Sequence, residues 1–344
     1  MRIGKLPIGK YNAIVDVPGV KVGHVTLSSG AVQTGVTAVL PHSRNLFKEK
    51  VPAAAHVING FGKTVGIVQI EELGQIETPI ILTNTLSVGR CSEALVEYAL
   101  KQNPEIGRTT GTVNPVVAEC NDGYLNDIRG LHVSKEHVWQ AIAQADDSWS
   151  TEKEGAVGAG TGMSCYGLKG GIGSASRVIK IDNEEYVVGI LALTNFGRLE
   201  DLIVNGKRVG PAIQSQIKQK DSPPDQGSVI AVLATNLPVS DRQLGRMARR
   251  VSAGLARTGT YIGHGSGDIV LAFSTANLIP HEFSQAVRKI NIIDDGALEG
   301  SFQAVVEGSE ESVLKSMIRA KSVTGRDGHH RYSLQEFLDL IEER

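Results

Sequence analysis

Between Tyr186 and Thr194 the chain reads YVVGILALT, a run without a single charge. A strand with one wet face alternates polar and apolar side chains, so an unbroken apolar run describes a strand covered on both faces. Ser228–Ala234 (SVIAVLA) has the same core character. Strands of this kind need cover above and below, which restricts the chain to layered architectures. At 344 residues it is long enough to bury a core of that size.

Other predicted strands are Ala13–Val17, Val36–Leu40, Ile80–Thr83, Arg177–Ile181 and Asp268–Ser274. Ile181-Asp-Asn-Glu184 lies between two of them and reads as a hairpin turn. Ser240 precedes Leu244, Met247, Ala248, Val251 and Leu255, helical spacing that predicts one capped amphipathic helix; Arg242, Arg246, Arg249 and Arg250 fill its solvated face. Further helices are expected over Cys91–Gln102, Glu136–Ala145, His281–Ile290, Leu298–Val306 and Ser312–Ala320. A Ser333/Glu336 capping box opens a final helix that carries Phe337, Leu338 and Ile341. Strands interleaved with helices predict a layered α/β sandwich, and without internal repeats 1–344 reads as one domain.

Lys and Arg total 35 against 37 Asp and Glu, and no block of five like charges occurs, which argues against a nucleic-acid partner. No run approaches a membrane span, and the N-terminus lacks the apolar core of a signal peptide. Cys91, Cys120 and Cys165 match no metal-ligand spacing, and an odd count disfavours a disulfide framework. The expectation is a cytoplasmic protein without membrane attachment.

Glycine is the outlying residue, 39 of 344, and its clusters are where chemistry is sought. None is a nucleotide loop. Gly62-Lys-Thr64 lacks the earlier glycine of a phosphate loop, having Val57 there. Gly158-Ala-Gly-Thr-Gly162 and Gly263-His-Gly-Ser-Gly267 both miss the last glycine of G-x-G-x-x-G. The nine histidines form no ligand pattern, so neither metal nor cofactor is expected. What remains is Glu119 to Asp127 (ECNDGYLND), Asn195 at a strand end, Gly227-Ser228, and Gly265-Ser-Gly-Asp268. A polar, proline-containing segment, Lys218–Gly227, predicted to be exposed and mobile, runs straight into the core strand at Ser228. A serine hydroxyl attacks a carbonyl only with a base to take its proton and donors for the oxyanion. Were the chain cut before Ser228, the new terminal amine, with an ordinary pKa of about 7.7–8.0, would be such a base. The alternative is a serine that merely opens a strand.

These residues resemble the DmpA/BapA-type self-processing aminopeptidases, the L-aminopeptidase/D-amidase and β-peptidyl aminopeptidase enzymes. The resemblance runs from Asp16-Val-Pro-Gly-Val-Lys-Val-Gly-His24 to Ala272-Phe-Ser-Thr-Ala-Asn277. It includes Pro115–Asp127, Gly160-Thr-Gly-Met163, Lys169-Gly-Gly-Ile-Gly173, Thr194-Asn-Phe-Gly197, Gly227-Ser-Val-Ile230 and Ala253–Gly259. It implies a four-layer αββα sandwich similar to the ornithine acetyltransferase fold, cut into chains 1–227 and 228–344 and assembled as homo-oligomers, often tetramers. It implies a short peptide or amide substrate, Ser228 as both cleavage residue and nucleophile, Asn195 as oxyanion amide, and Tyr124 as a hydroxyl facing the same intermediate. Ser266 and Asp268 fall where the family places a second serine and an acid, commonly glutamate. Glu119 or Asp122 would meet the substrate amine. Gly160–Met163 and Lys169–Gly173 are expected to shape the pocket backbone. An acyltransferase or amide-oligomer hydrolase on the same fold is the alternative, with a non-catalytic binding homologue as the third; the nylon-oligomer hydrolases of related type use threonine.

Overall fold

The computed structural model describes residues 2–217, 227–282 and 285–342. A four-stranded sheet runs in the order Lys21–Ser29, Val32–Leu40, Ile80–Asn84, Val116–Cys120, with the last two strands parallel. A larger sheet runs Ile279–Pro280, Glu49–Gly60, Gly267–Ser274, Ser228–Thr235, Glu184–Asn195, Gly171–Ile181, and Gln75–Ile76 adds to its Glu49–Gly60 strand. In it only Ser228–Thr235 and Gly267–Ser274 are parallel.

The pleat divides each central strand between two cores. Ile230, Val232 and Ala234 meet Ile80, Leu82, Val116 and Ala118 of the other sheet. Val229, Ala231 and Leu233 join Leu244, Met247, Val251, Val305 and Met317 from helices on the outer side. Beyond the smaller sheet, Val36, Ala38, Ile81 and Val117 pack on Val88–Gln102 and Lys135–Ala143 through Cys91, Leu95, Val138 and Ala141. The layers are helix, sheet, sheet, helix, as the family resemblance implies, and the strand Glu184–Asn195 is apolar from Val187 to Leu193, where both its faces become covered. It leaves Gly171–Ile181 through a two-residue turn at Asp182 and Asn183, both with positive φ (50° and 70°), the geometry that matches strand twist. Among the described residues no helix is long and apolar enough to cross a membrane.

Four expectations need correction. Ala13–Val17 is not a strand but a 3-10 turn over Ile14–Asp16, because the Asp16 carboxylate accepts the N–H groups of Tyr11 and Ala13. The helix from Ser240 keeps its capping box but divides into Asp241–Ala248 and Val251–Ala256. The described part of His281–Ile290 contains no helix; His281 instead ties that segment down, its backbone to Lys48 and its ring to Thr110 and Lys50. The two helices expected over Leu298–Val306 and Ser312–Ala320 are one, Glu299–Ile318. The polar run Glu307–Ser312 hid this, because it faces the interior, where Arg177 pairs with Glu307 and Glu311. The helix lies so close to Gly171–Ile181 that a Cβ on Gly173 would stand 1.9 Å from the Ser312 carbonyl oxygen. Of the segment Lys218–Gly227, all but Gly227 lies outside the described residues.

Candidate active site

Ser228 is the first residue of its strand. Register sets its neighbours: Asn195 is its antiparallel partner and Gly267 its parallel one. Two residues singled out in the sequence 33 positions apart therefore become adjacent. The Ser228 hydroxyl donates to the carbonyl of Gly227 at 2.6 Å. The Gly267 N–H points at the same place, 3.2 Å from the Gly227 oxygen and 3.3 Å from Ser228 Oγ. Gly227 must be glycine: a Cβ would lie 2.1 Å from the Asn195 carbonyl oxygen.

The Asn195 side chain is held at both ends. Its Oδ1 accepts from the Ser164 N–H at 2.8 Å, and Nδ2 donates to the Asn121 carbonyl at 3.0 Å. A carboxamide NH2 has two protons, so one remains for a developing oxyanion. On the other flank Asp268, 2% exposed, accepts from Ser266 Oγ at 2.6 Å and from the Val229 N–H at 3.1 Å. The carboxylate thus fixes both Ser266 and the peptide that follows Ser228. Aspartate is long enough for this.

Glu119 is the penultimate residue of the strand Val116–Cys120. It is buried and accepts from the Lys63 N–H at 2.9 Å and from the Thr85 hydroxyl. Gly62 wedges between it and Gly267, the strand neighbour of Ser228: a Cβ there would be 3.7 Å from Glu119 Oε1 and 3.6 Å from the Gly267 Cα. Asp122 turns into the protein instead. Its Oδ1 accepts from Asn126 at 3.0 Å, while Oδ2 is buried without a hydrogen-bond partner. Burial pushes its carboxyl up to about 6, against the opposing pull of the polar side chains of Thr34, Asn126 and Asn84. Tyr124 is half-exposed. Its ring stacks on His329 (centroids 4.5 Å apart) with the Arg331 guanidinium 3.5 Å from its centroid, and Arg331 Nε reaches Ser164 Oγ at 3.1 Å. Tyr124 therefore joins the Asn195 cluster through Arg331 and Ser164.

Sequence reasoning missed three participants, the Gly267 N–H, the Ser164 N–H and the Asn121 carbonyl. All are backbone groups, which carry no residue-type signal; the nearest clue was the Gly265-Ser-Gly-Asp268 cluster itself. Among the described residues no three His, Cys, Asp or Glu side chains gather as a metal-ion group.

A strand-end serine beside a glycine carbonyl, an oriented asparagine amide and an acid–serine pair is a layout for acyl transfer. Comparisons with known proteins agree. The chain is 37% identical over 342 residues to the β-peptidyl aminopeptidase BapA of Sphingosinicella microcystinivorans, covering 93% of this chain and 85% of that protein. Its fold superposes on a crystal structure of a Pyrococcus horikoshii OT3 protein with a TM-score of 0.92, 50% identity and coverage of 99% and 96%. It also matches the L-aminopeptidase D-Ala-esterase/amidase of Ochrobactrum anthropi, described as a variant of the Ntn hydrolase fold, with a TM-score of 0.90, 34% identity and coverage of 98% and 95%. The model of peptidase family S58 matches residues 12–331, and the chain belongs to that family.

Proposed function

We propose that Ser228 carries the self-processing aminopeptidase and amidase chemistry of this family, first on its own chain and then on substrate. The observation behind this reading is the Ser228 hydroxyl at 2.6 Å from the Gly227 carbonyl oxygen, with the Gly267 N–H directed at the same oxygen. In self-processing, Ser228 Oγ bonds to the Gly227 carbonyl carbon and the Gly227–Ser228 C–N bond breaks. The nitrogen takes the hydroxyl proton, and water then hydrolyses the ester to a Gly227 carboxylate and a free Ser228. In turnover, the new α-amine takes the hydroxyl proton as Oγ attacks the substrate's acyl carbon. It returns the proton to the departing amine, and water releases the acyl group. Asn195 Nδ2 and the Gly267 N–H receive the oxyanion. Asp268 holds Ser266 beside the nucleophile, and Tyr124 lines the same cleft. Glu119, at the Gly62 lip next to Gly267, meets the substrate's free amine, whereas Asp122 supports the loop from inside.

The products should be chains 1–227 and 228–344, about 24 and 12 kDa when the 36.7 kDa chain is divided at residue 227. Intact mass and N-terminal sequencing test this: the smaller chain must begin Ser-Val-Ile-Ala, and any other start removes Ser228 as the cleavage residue. The two named relatives are a β-peptidyl aminopeptidase and an L-aminopeptidase D-Ala-esterase/amidase. Release of p-nitroaniline from L-, D- and β-aminoacyl anilides decides which class this cleft takes, and N-acetylated versions should be inert if Glu119 reads a free amine. A homo-oligomer of such two-chain units in the cytoplasm completes the reading. Exposed Val287, Ile290 and Ile292 support the assembly, which sedimentation would measure, and three buried cysteines outside any disulfide fit a reducing compartment.

A further inference from the structure

Lys169 belongs to a motif that the mechanism above leaves unused. Its side chain is fully buried, and its ammonium donates to three backbone carbonyls, Gly160 at 3.0 Å, Met163 at 2.8 Å and Gly170 at 2.7 Å. Three acceptors around one nitrogen require three N–H bonds, which only the charged form supplies. Burial, with a smaller push from Arg331, brings Lys169 down to about 7 against the opposing pull of Asp122 and Cys165. An uncompensated ammonium would not be kept in such a place. Strand pairing explains how it is held. Ser164–Cys165 and Leu168–Lys169 form a two-strand hairpin with Ser164 opposite Lys169, turning at Tyr166 and Gly167, both of positive φ. The Lys169 stem folds back beneath this hairpin.

The consequence lies in one peptide group, Met163–Ser164. Its carbonyl oxygen accepts from Lys169 Nζ at 2.8 Å and from the Gly170 N–H at 3.0 Å. Its N–H donates to Asn195 Oδ1 at 2.8 Å. A cation on the carbonyl side withdraws electron density along the peptide and makes the N–H a stronger donor; the carboxamide it binds is then polarised in turn. The polarisation ends at Asn195 Nδ2, the proposed oxyanion donor. The same bonds forbid the flipped carboxamide, because Ser164 offers Asn195 only a donor and Asn121 only an acceptor.

We propose that Lys169 is a positioning residue for the oxyanion site: its buried ammonium, acting through the Met163–Ser164 peptide, orients and polarises the Asn195 amide. The proposal rests on Asn195 being the oxyanion donor. It adds that the positive charge opposing the oxyanion comes from a lysine that never touches substrate.

A double-mutant cycle tests it on an aminoacyl p-nitroanilide, with kcat expressed per mole of processed 228–344 chain. Lys169→Met should lower kcat roughly 10–100-fold, less than loss of the donor itself, and leave KM within about twofold. Added to Asn195→Ala it should cost less than about threefold more, because its effect passes through that side chain. A residue with a purely structural role would subtract the same factor in both backgrounds. Ser164→Pro, which deletes the one N–H linking the two residues, should repeat the cycle, and it decides the matter if Lys169→Met does not fold. Wild-type kcat in either variant, or multiplicative losses, overturns the Lys169 assignment. Normal kcat in Asn195→Ala alone would instead overturn the oxyanion reading beneath it.

Discussion

Two buried polar clusters in this protein handle their hydrogen bonds in opposite ways. At the outer helix layer, Arg177 spends all five N–H groups: on Glu307, on Glu311, on Asn12 and on the carbonyls of Ser176 and Ile3. The two glutamates fill their remaining sites with the N–H groups of Ile3, Lys5 and Leu6 and the side chains of Asn12 and Gln303. At the cleft the accounts stay open. Asn195 keeps an amide proton and the Gly267 N–H is shared between two oxygens, while Asp122, on the inner side of the loop whose Asn121 carbonyl holds Asn195, leaves Oδ2 as an unmatched acceptor. A saturated buried network rigidifies, whereas unspent donors around a nucleophile are what a transition state can use. The first cluster also joins residues 3–177 to the helix Glu299–Ile318, and so spans the proposed cut.

Four experiments would break or sharpen this contrast. The largest effect belongs to Ser228→Ala, which should remain a single chain and lose at least about 10⁴-fold in kcat. The uncut variant should still fold and unfold cooperatively in urea, since the substitution itself removes only a strand-end hydroxyl. Cleavage in that variant would dissolve the mechanism.

Next comes Arg177→Ala, which strands two carboxylates in the interior. It should cost about 3–5 kcal/mol of stability by urea unfolding. The kcat of the folded fraction should stay unchanged, and a selective loss of kcat would mean that the two clusters are not separate.

Asn195→Ala should do the reverse. A loss of about 100–1,000-fold in kcat is expected, with KM and the unfolding midpoint nearly unmoved, as steady-state kinetics and urea titration would measure.

The smallest effect is a pH dependence, and its sign distinguishes the clusters. Burial opposes ionisation of Glu307, but the N–H groups of Lys5 and Leu6 with Gln303 and Arg177 outweigh it and hold the carboxyl below its usual range. Its stabilisation is present above the ordinary glutamate value and is lost as pH falls through the lowered one. Asp122 is raised to about 6, so its folded form holds the proton more tightly between 3.8 and 6, and stability is lost as pH rises through that window. Asp122→Asn should therefore gain on the unaltered protein between pH 4 and 7 by up to about 3 kcal/mol. A difference independent of pH would show that Asp122 is ionised throughout.

How much was legible beforehand follows from how local each feature is. The hairpin at Asp182-Asn183, the capping boxes at Ser240 and Ser333 and the helix Val88–Gln102 depend on neighbours within a few residues, and the sequence carries them in plain view. The serine, asparagine and acid of the site were legible by resemblance to a family of long motifs. The described part of His281–Ile290 departs from the expected helix because His281, at its start, is tied to Lys48, Lys50 and Thr110, far away in the chain. Glu299–Ile318 was cut in two because polar residues read as exposed unless a buried arginine is known to await them.

By itself, the sequence determined the layers. Runs such as Tyr186–Thr194 and Ser228–Ala234 cannot be solvated on either face, so sheets covered on both sides were the only outcome open to them. Only the tertiary structure decided the chemistry of the cleft. It put Asn195 opposite Ser228 by register, brought the Gly267 N–H to the Gly227 carbonyl and turned Asp122 inward while Glu119 stayed at the lip. It also set a lysine behind the Ser164 peptide. Those outcomes depend on strand register and on which backbone N–H or C=O each side chain meets, and such pairings form between segments that no local pattern connects.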